Sequence, residues 1–326
     1  MRKMAARLAL GFGLLASNLL SLQAEPAPDE APPVWAYPIA PKGTAAPPDD
    51  GTVRHVPDSS AGYTLTQIRD LFVALDWRPG DHPPMPSIVG LGRKPNLRAC
   101  GSCHRPEGIG GPENASLAGL PVAYLRRQIA DYRAGTRSTG VAARAHVFRM
   151  ITALKELTPE EIDQATAYYA SLKLPARIKV IESERVPASI IPNWYYTPKP
   201  DGGSEPLGDR IVEMPDDEDG YVDRDQRVTF TAYVPPGSVA RGQALVAGSE
   251  PERVPACAGC HGEALRGTDD IPPLAGRSPS YIVRQLYEFK HGLRRGEMAE
   301  PMQANASRMS LADMTAIAAY LATLPP

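Results

Sequence analysis

Cys100-Gly101-Ser102-Cys103-His104 recurs 157 residues later as Cys257-Ala258-Gly259-Cys260-His261, and the two copies contain all four cysteines of the 326-residue chain. Both copies follow the pattern C-x-x-C-H, in which two thiols add across the vinyl groups of a porphyrin and the adjacent histidine binds the iron. The sequence therefore predicts two covalently bound haem c groups. The predicted attachment points are Cys100, Cys103, Cys257 and Cys260, and the predicted proximal iron ligands are His104 and His261.

The spacing of the cysteines argues against other uses of a C-x-x-C pair. A zinc ribbon places its two halves about 15–20 residues apart, whereas these halves are separated by 157 positions. A thioredoxin-like redox pair does not require a histidine directly after its second cysteine. Because the histidine is present in both copies, haem attachment explains the pattern best.

The first residues have the features of an export signal. Three basic residues precede an apolar stretch, residues 8–20, and Ala24 is a candidate cleavage point. We therefore predict a signal peptide over residues 1–24 and a periplasmic protein, with an uncleaved anchor as the alternative. The apolar stretch is shorter than the roughly 20 residues of a membrane span, so no integral span is expected after cleavage.

The charge balance gives no indication of a nucleic-acid or anionic-membrane partner. The chain has 35 basic and 37 acidic side chains and a formal net charge of −2, which becomes −5 once the three basic residues of the signal are removed. Partners of that kind require a basic excess. We expect redox proteins as partners instead.

An internal repeat surrounds the two motifs. Leu-Ala-Gly follows each histidine by thirteen residues, at 117–119 and 274–276. The same offset of 157 relates Tyr124 to Tyr281, Gln128 to Gln285, Tyr132 to Phe289, Gly135 to Gly292 and Arg137 to Arg294. After a five-residue deletion, an offset of 152 relates Met150 to Met302, Leu157 to Met309, Thr158 to Ser310 and Tyr168 to Tyr320.

The repeated positions predict helices. Tyr124, Gln128 and Tyr132 are spaced by four and would lie on one helical face. Gly135 follows at a position that suits a left-handed C-cap. The closing helix of each copy begins with a hydroxyl cap, at Thr158 and at Ser310.

The helices ahead of the motifs are less symmetrical. Residues 238–246 predict a helix, with Gly242 where a close helix crossing favours a small side chain. Ahead of the first motif, residues 64–75 show a better amphipathic pattern than residues 86–92. At the level of sequence, either segment could pack against the closing helix.

Together, the motifs and the repeat resemble class I cytochromes c arranged in tandem, as in the dihaem cytochromes of bacterial respiratory chains. The resemblance covers residues 86–175 and 236–325. It implies a mainly α-helical fold in which a small bundle of helices surrounds each haem, with histidine on one face of the iron and methionine on the other. It also implies electron transfer as the activity.

This resemblance divides the chain into five segments. We predict a signal peptide (1–24), a proline-rich N-terminal extension (25–85), a first cytochrome c domain (86–175), a connector (176–235) and a second cytochrome c domain (236–326). Aromatic and β-prone runs at 194–196, 211–213 and 228–230 predict that the connector is an ordered strap rather than a free tether. Its acidic run, 216–219, is interpreted as a solvated loop, with contact to a basic partner as the alternative.

Met150 and Met302 are the predicted distal ligands. Both lie eight residues before a helix cap, where the family places its methionine. His146 and Met298 each lie four residues earlier and are the rivals, and histidine ligation would lower the potential of the first haem. Met85 is a remote candidate, and Met309 is predicted to be core. The remaining histidines are predicted to face solvent or to be bonded locally: His55, His82 and His291.

The family also implies a backbone carbonyl, in a proline-containing loop, that accepts a hydrogen bond from the proximal histidine. The second copy keeps Pro272, whereas the first copy has Asn114-Ala115-Ser116 and departs from the pattern. A carbonyl does not depend on side-chain identity, so the bond can form in both copies. The candidate haem-pocket residues are Tyr124, Arg137, Tyr281 and Arg294; the arginines could pair with propionates or be solvated residues beyond a helix.

Two hypotheses for the function remain. The first is a two-haem electron carrier, or the cytochrome subunit of an oxidoreductase, which is not itself an enzyme. The second is a dihaem peroxidase-like enzyme with one open haem face, for which His146 and Glu300 are the nearby acid–base groups. A haem-based sensor is disfavoured because no signalling segment is recognisable in the sequence.

Overall fold

Twelve α-helices occur in the part of the chain that the computed structural model describes, residues 31–44, 47–141 and 143–326. None of them is long and apolar enough to cross a membrane. The predicted signal peptide lies outside the described residues. The helices are α1 (Leu65–Arg69), α2 (Ser87–Gly90), α3 (Cys100–His104), α4 (Val122–Ala134), α5 (Ala145–Lys155), α6 (Pro159–Ser171), α7 (Glu218–Val222), α8 (Ser238–Val246), α9 (Ala258–His261), α10 (Pro279–Lys290), α11 (Glu300–Ala306) and α12 (Leu311–Thr323).

Seven short β-strands occur in the same residues, all of them between α6 and α8. They are β1 (Ile178–Glu182), β2 (Arg185–Pro187), β3 (Ser189–Ile190), β4 (Thr197–Pro198), β5 (Ser204–Pro206), β6 (Val212–Pro215) and β7 (Phe230–Val234). β7 is the centre of a three-stranded sheet, parallel to β1 and antiparallel to β6. β2 pairs with β5, and β3 with β4, both antiparallel.

The first half of the repeat contains α3 to α6. α4 ends at Gly135, whose φ of 71° is left-handed, as the sequence predicts. α6 begins with the predicted capping box: the Thr158 hydroxyl accepts from the Glu161 N–H, and the Glu161 carboxylate accepts from the Thr158 N–H. These caps fix where the helices that surround the first site begin and end.

The second half contains α8 to α12 and the largest apolar cluster. α8 crosses α12 at Gly242, where an added Cβ would lie 1.9 Å from the carbonyl oxygen of Ala316. Only a glycine allows the two helices to approach this closely. α12 begins with a second capping box, formed by Ser310 and Asp313, so the predicted helix starts and the predicted close crossing are all present.

The predicted helix over residues 64–75 is wrong in its length, because α1 ends at Arg69. Asp70 has an extended backbone, and its carboxylate accepts a hydrogen bond from the Phe72 N–H at 2.8 Å. Local bonds of this kind compete with a helix for backbone groups. The chain then runs beside α2, where the Ala74 N–H donates to the Gly90 carbonyl at 2.8 Å.

α2 is the element that packs against the closing helix of the first half. Ile88 and Val89 lie in one buried cluster with Tyr168 and Tyr169 of α6. The four-residue helix is sufficient for this contact because both of its apolar residues are buried. The question left open by the sequence is therefore answered in favour of the segment at 86–92.

The strands between the two halves pack against the second half. Ile211, Ala232 and Val234 share the large apolar cluster with Val283 and Ile317. Residues 216–219 are exposed and serve the local fold, since the Asp217 side chain caps α7. Residues 32–326 form one compact unit.

The extension is attached to the segment that precedes β7. The Trp77 Nε1–H donates to the Asp223 carbonyl at 2.9 Å. Arg78 forms a buried ion pair with Asp225 at 2.6 Å. Because both contacts are buried, they hold residues 77 and 78 firmly against the rest of the molecule.

Because the two helices cross closely at Gly242, we expect one added methyl group at this position to lower the stability of the protein. We expect Gly242→Ala to lower the free energy of unfolding by about 1–3 kcal/mol, because overpacking outweighs the gain in helix propensity. Gly80→Ala, at a position with nothing within 4 Å of an added Cβ, should change it by no more than about 0.5 kcal/mol. Chemical denaturation of both variants measures the difference; equal changes would contradict the crossing.

We expect the stability of the protein to depend on pH through the buried carboxyl group of Glu213 on β6. Its buried carboxylate accepts from the Ser278 hydroxyl at 2.7 Å, yet burial raises its pKa above the ordinary value of 4.5. The folded state then binds more protons than the unfolded state above about pH 4.5, so stability falls as the pH rises through this window. Glu213→Gln should flatten the profile and Ser278→Ala should steepen it, as measured by denaturation from pH 4 to pH 8. Parallel profiles would refute this assignment.

Candidate haem sites

The proximal histidine of the first copy is held in one orientation. His104 is buried at the end of α3, and its Nδ1–H donates to the Ala115 carbonyl at 2.9 Å. This bond fixes the tautomer and leaves Nε2 as the nitrogen with a free lone pair. Burial also lowers the pKa of His104, which favours the neutral, iron-binding form.

The second copy repeats this bond at the same spacing. His261 Nδ1 donates to the Pro272 carbonyl at 2.8 Å, and Pro272 follows His261 by the eleven residues that separate Ala115 from His104. The first copy therefore makes the contact without the proline, because only the carbonyl is needed. Burial lowers the pKa of His261 as well.

The thiols do not have the properties of a redox pair. Burial raises the pKa of Cys100 to about 12 and that of Cys257 to about 11. A redox-active cysteine has a depressed pKa, because the thiolate is its reactive form. The raised values argue against a redox-active pair.

A cavity of about 770 Å³ opens beside His104. Its lining includes both cysteines of the first motif and Met150 of α5, together with residues of the second half such as Tyr281 and Gln285. This volume lies within the usual range for cofactor sites. The cavity can therefore accommodate a porphyrin attached to α3, and both halves of the repeat form its wall.

Two candidate distal ligands of the first site line this cavity. Met150 is half-buried and packs against the apolar cluster of the first half. His146, one turn earlier on α5, is also in the lining; its ring lies edge-on to Trp194 with centroids 4.5 Å apart, and its Nδ1 has no hydrogen-bond partner. Burial lowers the pKa of His146 to about 4. Met85 is not in the lining and packs near Gly90.

Buried cations in the cavity have unused hydrogen-bond donors. Arg105 and Arg144 each have a buried Nη1 without a partner. Burial, with the nearby Arg284, lowers the pKa of Arg144 to about 9. Charged guanidinium groups in such a position favour a bound anion. The two propionates of a haem fit this requirement.

Arg137 and Arg294 are not solvated residues, and that interpretation is wrong. Each is only 6% exposed, and the two loop segments that carry them meet at an isolated β-bridge between the halves. Arg137 donates to Gln128 Oε1 at 2.7 Å and to Gln285 Oε1 at 2.9 Å. Arg294 donates to the same two oxygens, at 2.7 and 3.1 Å. The repeated residues therefore bond across the boundary between the halves.

The candidate tyrosines belong to the same cross-boundary network. The Tyr281 hydroxyl accepts from Arg137 at 3.2 Å, and the Tyr124 hydroxyl accepts from Arg294 at 3.4 Å. Each arginine also lies over the aromatic ring of its own half, Tyr132 or Phe289, at 4.6 and 4.0 Å from the centroid. All four candidate pocket residues thus belong to one network at the boundary between the halves. The sequence alone could not indicate these contacts.

The second site is more exposed than the first. Cys260 is exposed, and Met302 of α11 is half-buried against Phe289, Ala299 and Ala306. Its rival, Met298, is 59% exposed. A separate cavity of about 420 Å³ lies against Ala258 of α9, but its lining includes neither the motif's cysteines and histidine nor Met302.

The other methionine and histidine candidates lie apart from both motifs. Met309 is buried in the large apolar cluster, as predicted for a core residue. His55 Nδ1 lies 2.8 Å from the Ala61 carbonyl and His82 Nδ1 lies 2.8 Å from the Pro83 carbonyl, so both are bonded locally.

Two fixed histidines, each beside a pair of cysteines in a repeated helical bundle, define a c-type haem protein with two sites. A family model described as cytochrome c matches residues 92–173 and 239–325, just over half of the sequence, and the chain belongs to the cytochrome c family. The helical cytochrome c domains and the two covalently bound haem c groups are thereby confirmed. Electron transfer is the activity of this class.

The chain is similar to a thiosulfate dehydrogenase electron acceptor of Thiomonas intermedia, with 26% identity over 234 residues, 71% of this chain and 81% of the relative. It is also 26% identical to cytochrome c4 of Pseudomonas aeruginosa, over 68% of this chain and 82% of the relative. Among solved structures, a thiosulfate dehydrogenase from Marichromatium purpuratum is 31% identical, with a TM-score of 0.47, and the match covers 70% of this chain but only 37% of that one.

The cross-boundary network predicts coupling between the halves. We expect Arg137→Lys to lower the free energy of unfolding by about 2 kcal/mol, because lysine keeps the charge but cannot reach both glutamine oxygens with one planar group. Arg126→Lys, which changes a 52% exposed arginine on α4, is the control and should cost less than about 1 kcal/mol. Denaturation followed by haem absorption tests this; equal losses in the two variants would count against the network.

Proposed function

We propose that this protein is a periplasmic two-haem cytochrome that carries electrons between redox proteins, with histidine and methionine as the axial ligands of both irons. The observation that carries the proposal is the repeated proximal bond, His104 to Ala115 and His261 to Pro272, at 2.9 and 2.8 Å. Each bond is followed in its own half by a methionine at the matching position. Each haem would supply an iron that exists in ferric and ferrous states.

In the first half, Cys100 and Cys103 would hold the haem through thioether bonds, with His104 below the iron and Met150 above it. The support for Met150 over His146 is the internal repeat, since Met302 occupies the equivalent place in the second half whereas His146 has no histidine counterpart. The ring of His146 also has a partner of its own in Trp194. A thioether ligand would raise the potential of this haem relative to a second histidine.

In the second half, Cys257, Cys260 and His261 would hold the haem, with Met302 as the distal ligand. Met302 is supported by its apolar surroundings, because Phe289, Ala299 and Ala306 pack around it. Met298 is less suitable because its exposed side chain would leave the iron open to water. Closure against water and small molecules is what separates a carrier from an enzyme.

The protein's own contribution to electron transfer is a set of polar groups that are already in position around the two sites. Arg137 and Arg294 link the walls of the two halves through shared glutamine oxygens. The buried guanidinium of Arg144 provides a counter-charge for propionates in the first site. Because these groups are already in place, a change of oxidation state would require little rearrangement of the protein.

The exposed side of the second site is where we place contact with a partner protein. Cys260 is exposed there, whereas the first site is covered by residues of the connector such as Trp194 and Tyr195. A relative named thiosulfate dehydrogenase electron acceptor supports a dehydrogenase as the class of electron donor. The predicted signal peptide supports the periplasm as the compartment.

Each variant that removes one distal ligand should leave one axial position of one iron unoccupied. We expect the unmodified protein to be low-spin at both haems and not to bind carbon monoxide readily, since both axial positions would be filled. Met150→Ala and Met302→Ala should each bind about one equivalent of carbon monoxide and lower one of the two reduction potentials. Optical and magnetic-resonance spectra during a redox titration provide the measurement.

Matched variants distinguish the ligands from their neighbours. Met298→Ala should leave both potentials unchanged, because the side chain is exposed. His146→Ala should leave the first haem low-spin. A high-spin first haem in this variant would show that His146, and not Met150, is the distal ligand of the first iron. Rapid stoichiometric binding of carbon monoxide by the unmodified protein, with turnover of peroxide, would instead support the dihaem peroxidase-like alternative.

A further inference from the structure

Three ligand-type side chains converge outside the haem sites. Asp76 and His82 come from the N-terminal extension, and Glu107 lies three residues after His104. One oxygen or nitrogen atom from each side chain lies within 4.8 Å of the corresponding atoms of the other two. The extension and the first haem domain therefore meet at a cluster of one imidazole and two carboxyl groups.

His82 presents a lone pair to this cluster. Its side chain is only 3% exposed, and its Nδ1–H donates to the Pro83 carbonyl at 2.8 Å. The other nitrogen, Nε2, is then unprotonated in the neutral ring. It lies 3.3 Å from Asp76 Oδ1 but forms no hydrogen bond. A buried nitrogen is thus aimed at a carboxylate with no donor between them.

Glu107 adds a second unsatisfied group. Both of its carboxylate oxygens are buried, and neither has a hydrogen-bond partner among the described residues. No described arginine or lysine forms a hydrogen bond with either oxygen. Buried charges in proteins are paired or bind metals, and this carboxylate is not paired.

We propose that Asp76, His82 and Glu107 bind one divalent transition-metal cation, with Zn²⁺ as the representative ion. A cation would accept all three electron pairs and neutralise both carboxylates. One imidazole nitrogen with carboxylate oxygens suits Zn²⁺ and its neighbours, whereas Ca²⁺ and Mg²⁺ are bound mainly by oxygen. The bond from His82 Nδ1 to a carbonyl is the usual support of a metal-bound histidine.

The position of the cluster gives the cation a structural role. Asp76 directly precedes Trp77 and Arg78, which are anchored to Asp223 and Asp225. The Tyr168 hydroxyl of α6 lies 3.1 Å from His82 Nδ1 and donates to the Pro106 carbonyl at 2.8 Å. A metal ion would therefore join the extension to the loop that follows the first motif, beside Tyr168 of α6. Asp76 and His82 lie outside the residues that match the cytochrome c family.

The experiment uses the full-length protein with both haems attached. The protein is treated with a chelator, equilibrated with Zn²⁺ and desalted, and the ratio of zinc to iron is measured by elemental mass spectrometry. We expect one zinc for every two irons. In a calorimetric titration with Zn²⁺, His82→Ala should weaken binding by at least about 100-fold, and Asp76→Asn and Glu107→Gln by at least about 10-fold each.

The matched control is His55→Ala, which changes a locally bonded histidine of the same extension and should retain one zinc. An unchanged haem spectrum verifies the fold of each variant, and the two amides keep the shape of the site if His82→Ala does not fold. An absence of stoichiometric zinc would overturn the proposal. So would zinc binding that all three variants retain. Neither result depends on which side chains are the distal ligands of the irons.

Discussion

The structure depends on a hydrogen bond between an imidazole Nδ1–H and a backbone carbonyl eleven residues further along the chain. His104 makes this bond to Ala115 and His261 makes it to Pro272, at nearly equal lengths. The bond orients the second ring nitrogen, and the helices of each half are arranged around the site that this nitrogen faces. Because a carbonyl is the acceptor, alanine in one copy and proline in the other give the same geometry.

The two halves form one functional unit because the repeated residues bond to each other's copies. Gln128 and Gln285 each accept from both arginines, so no residue of the network is satisfied within its own half alone. Asp131 and Glu288 are also equivalent positions beside this network. A boundary formed by buried charged groups is specific in register, since any shift would leave guanidinium groups without acceptors.

Local chemistry explains which features could be predicted from the sequence. The C-x-x-C-H motifs, the capping boxes at Thr158 and Ser310 and the glycine cap at Gly135 each depend on residues within a few positions of one another. The helix predicted over 64–75 is wrong because its apolar pattern continues past Asp70, whose side chain bonds to the backbone and ends the helix. The spacing of apolar residues gives no information about a side-chain hydrogen bond that competes with the helix.

Contacts between distant segments explain the rest. The burial of Arg137 could not be predicted, because its partners Tyr281 and Gln285 are about 150 residues away in the sequence. His82 is bonded locally, one of the two outcomes predicted for it, but Glu107, which lies in the same cluster, belongs to another segment. In both cases the sequence shows the residue types but does not show that these residues lie next to one another in the fold.

The parallel pairing of β1 with β7 has a consequence for how this protein can change over evolution. β1 begins shortly after α6 and β7 ends shortly before α8, and the two strands are paired from Ile178 with Phe230 to Glu182 with Val234. The chain therefore leaves the first cytochrome domain at one end of this strand pair and enters the second at the opposite end, so the pairing fixes the two points one strand length apart. Insertions or deletions between β1 and β6 could alter the cover of the first cavity, where Trp194 lies, without displacing one domain from the other.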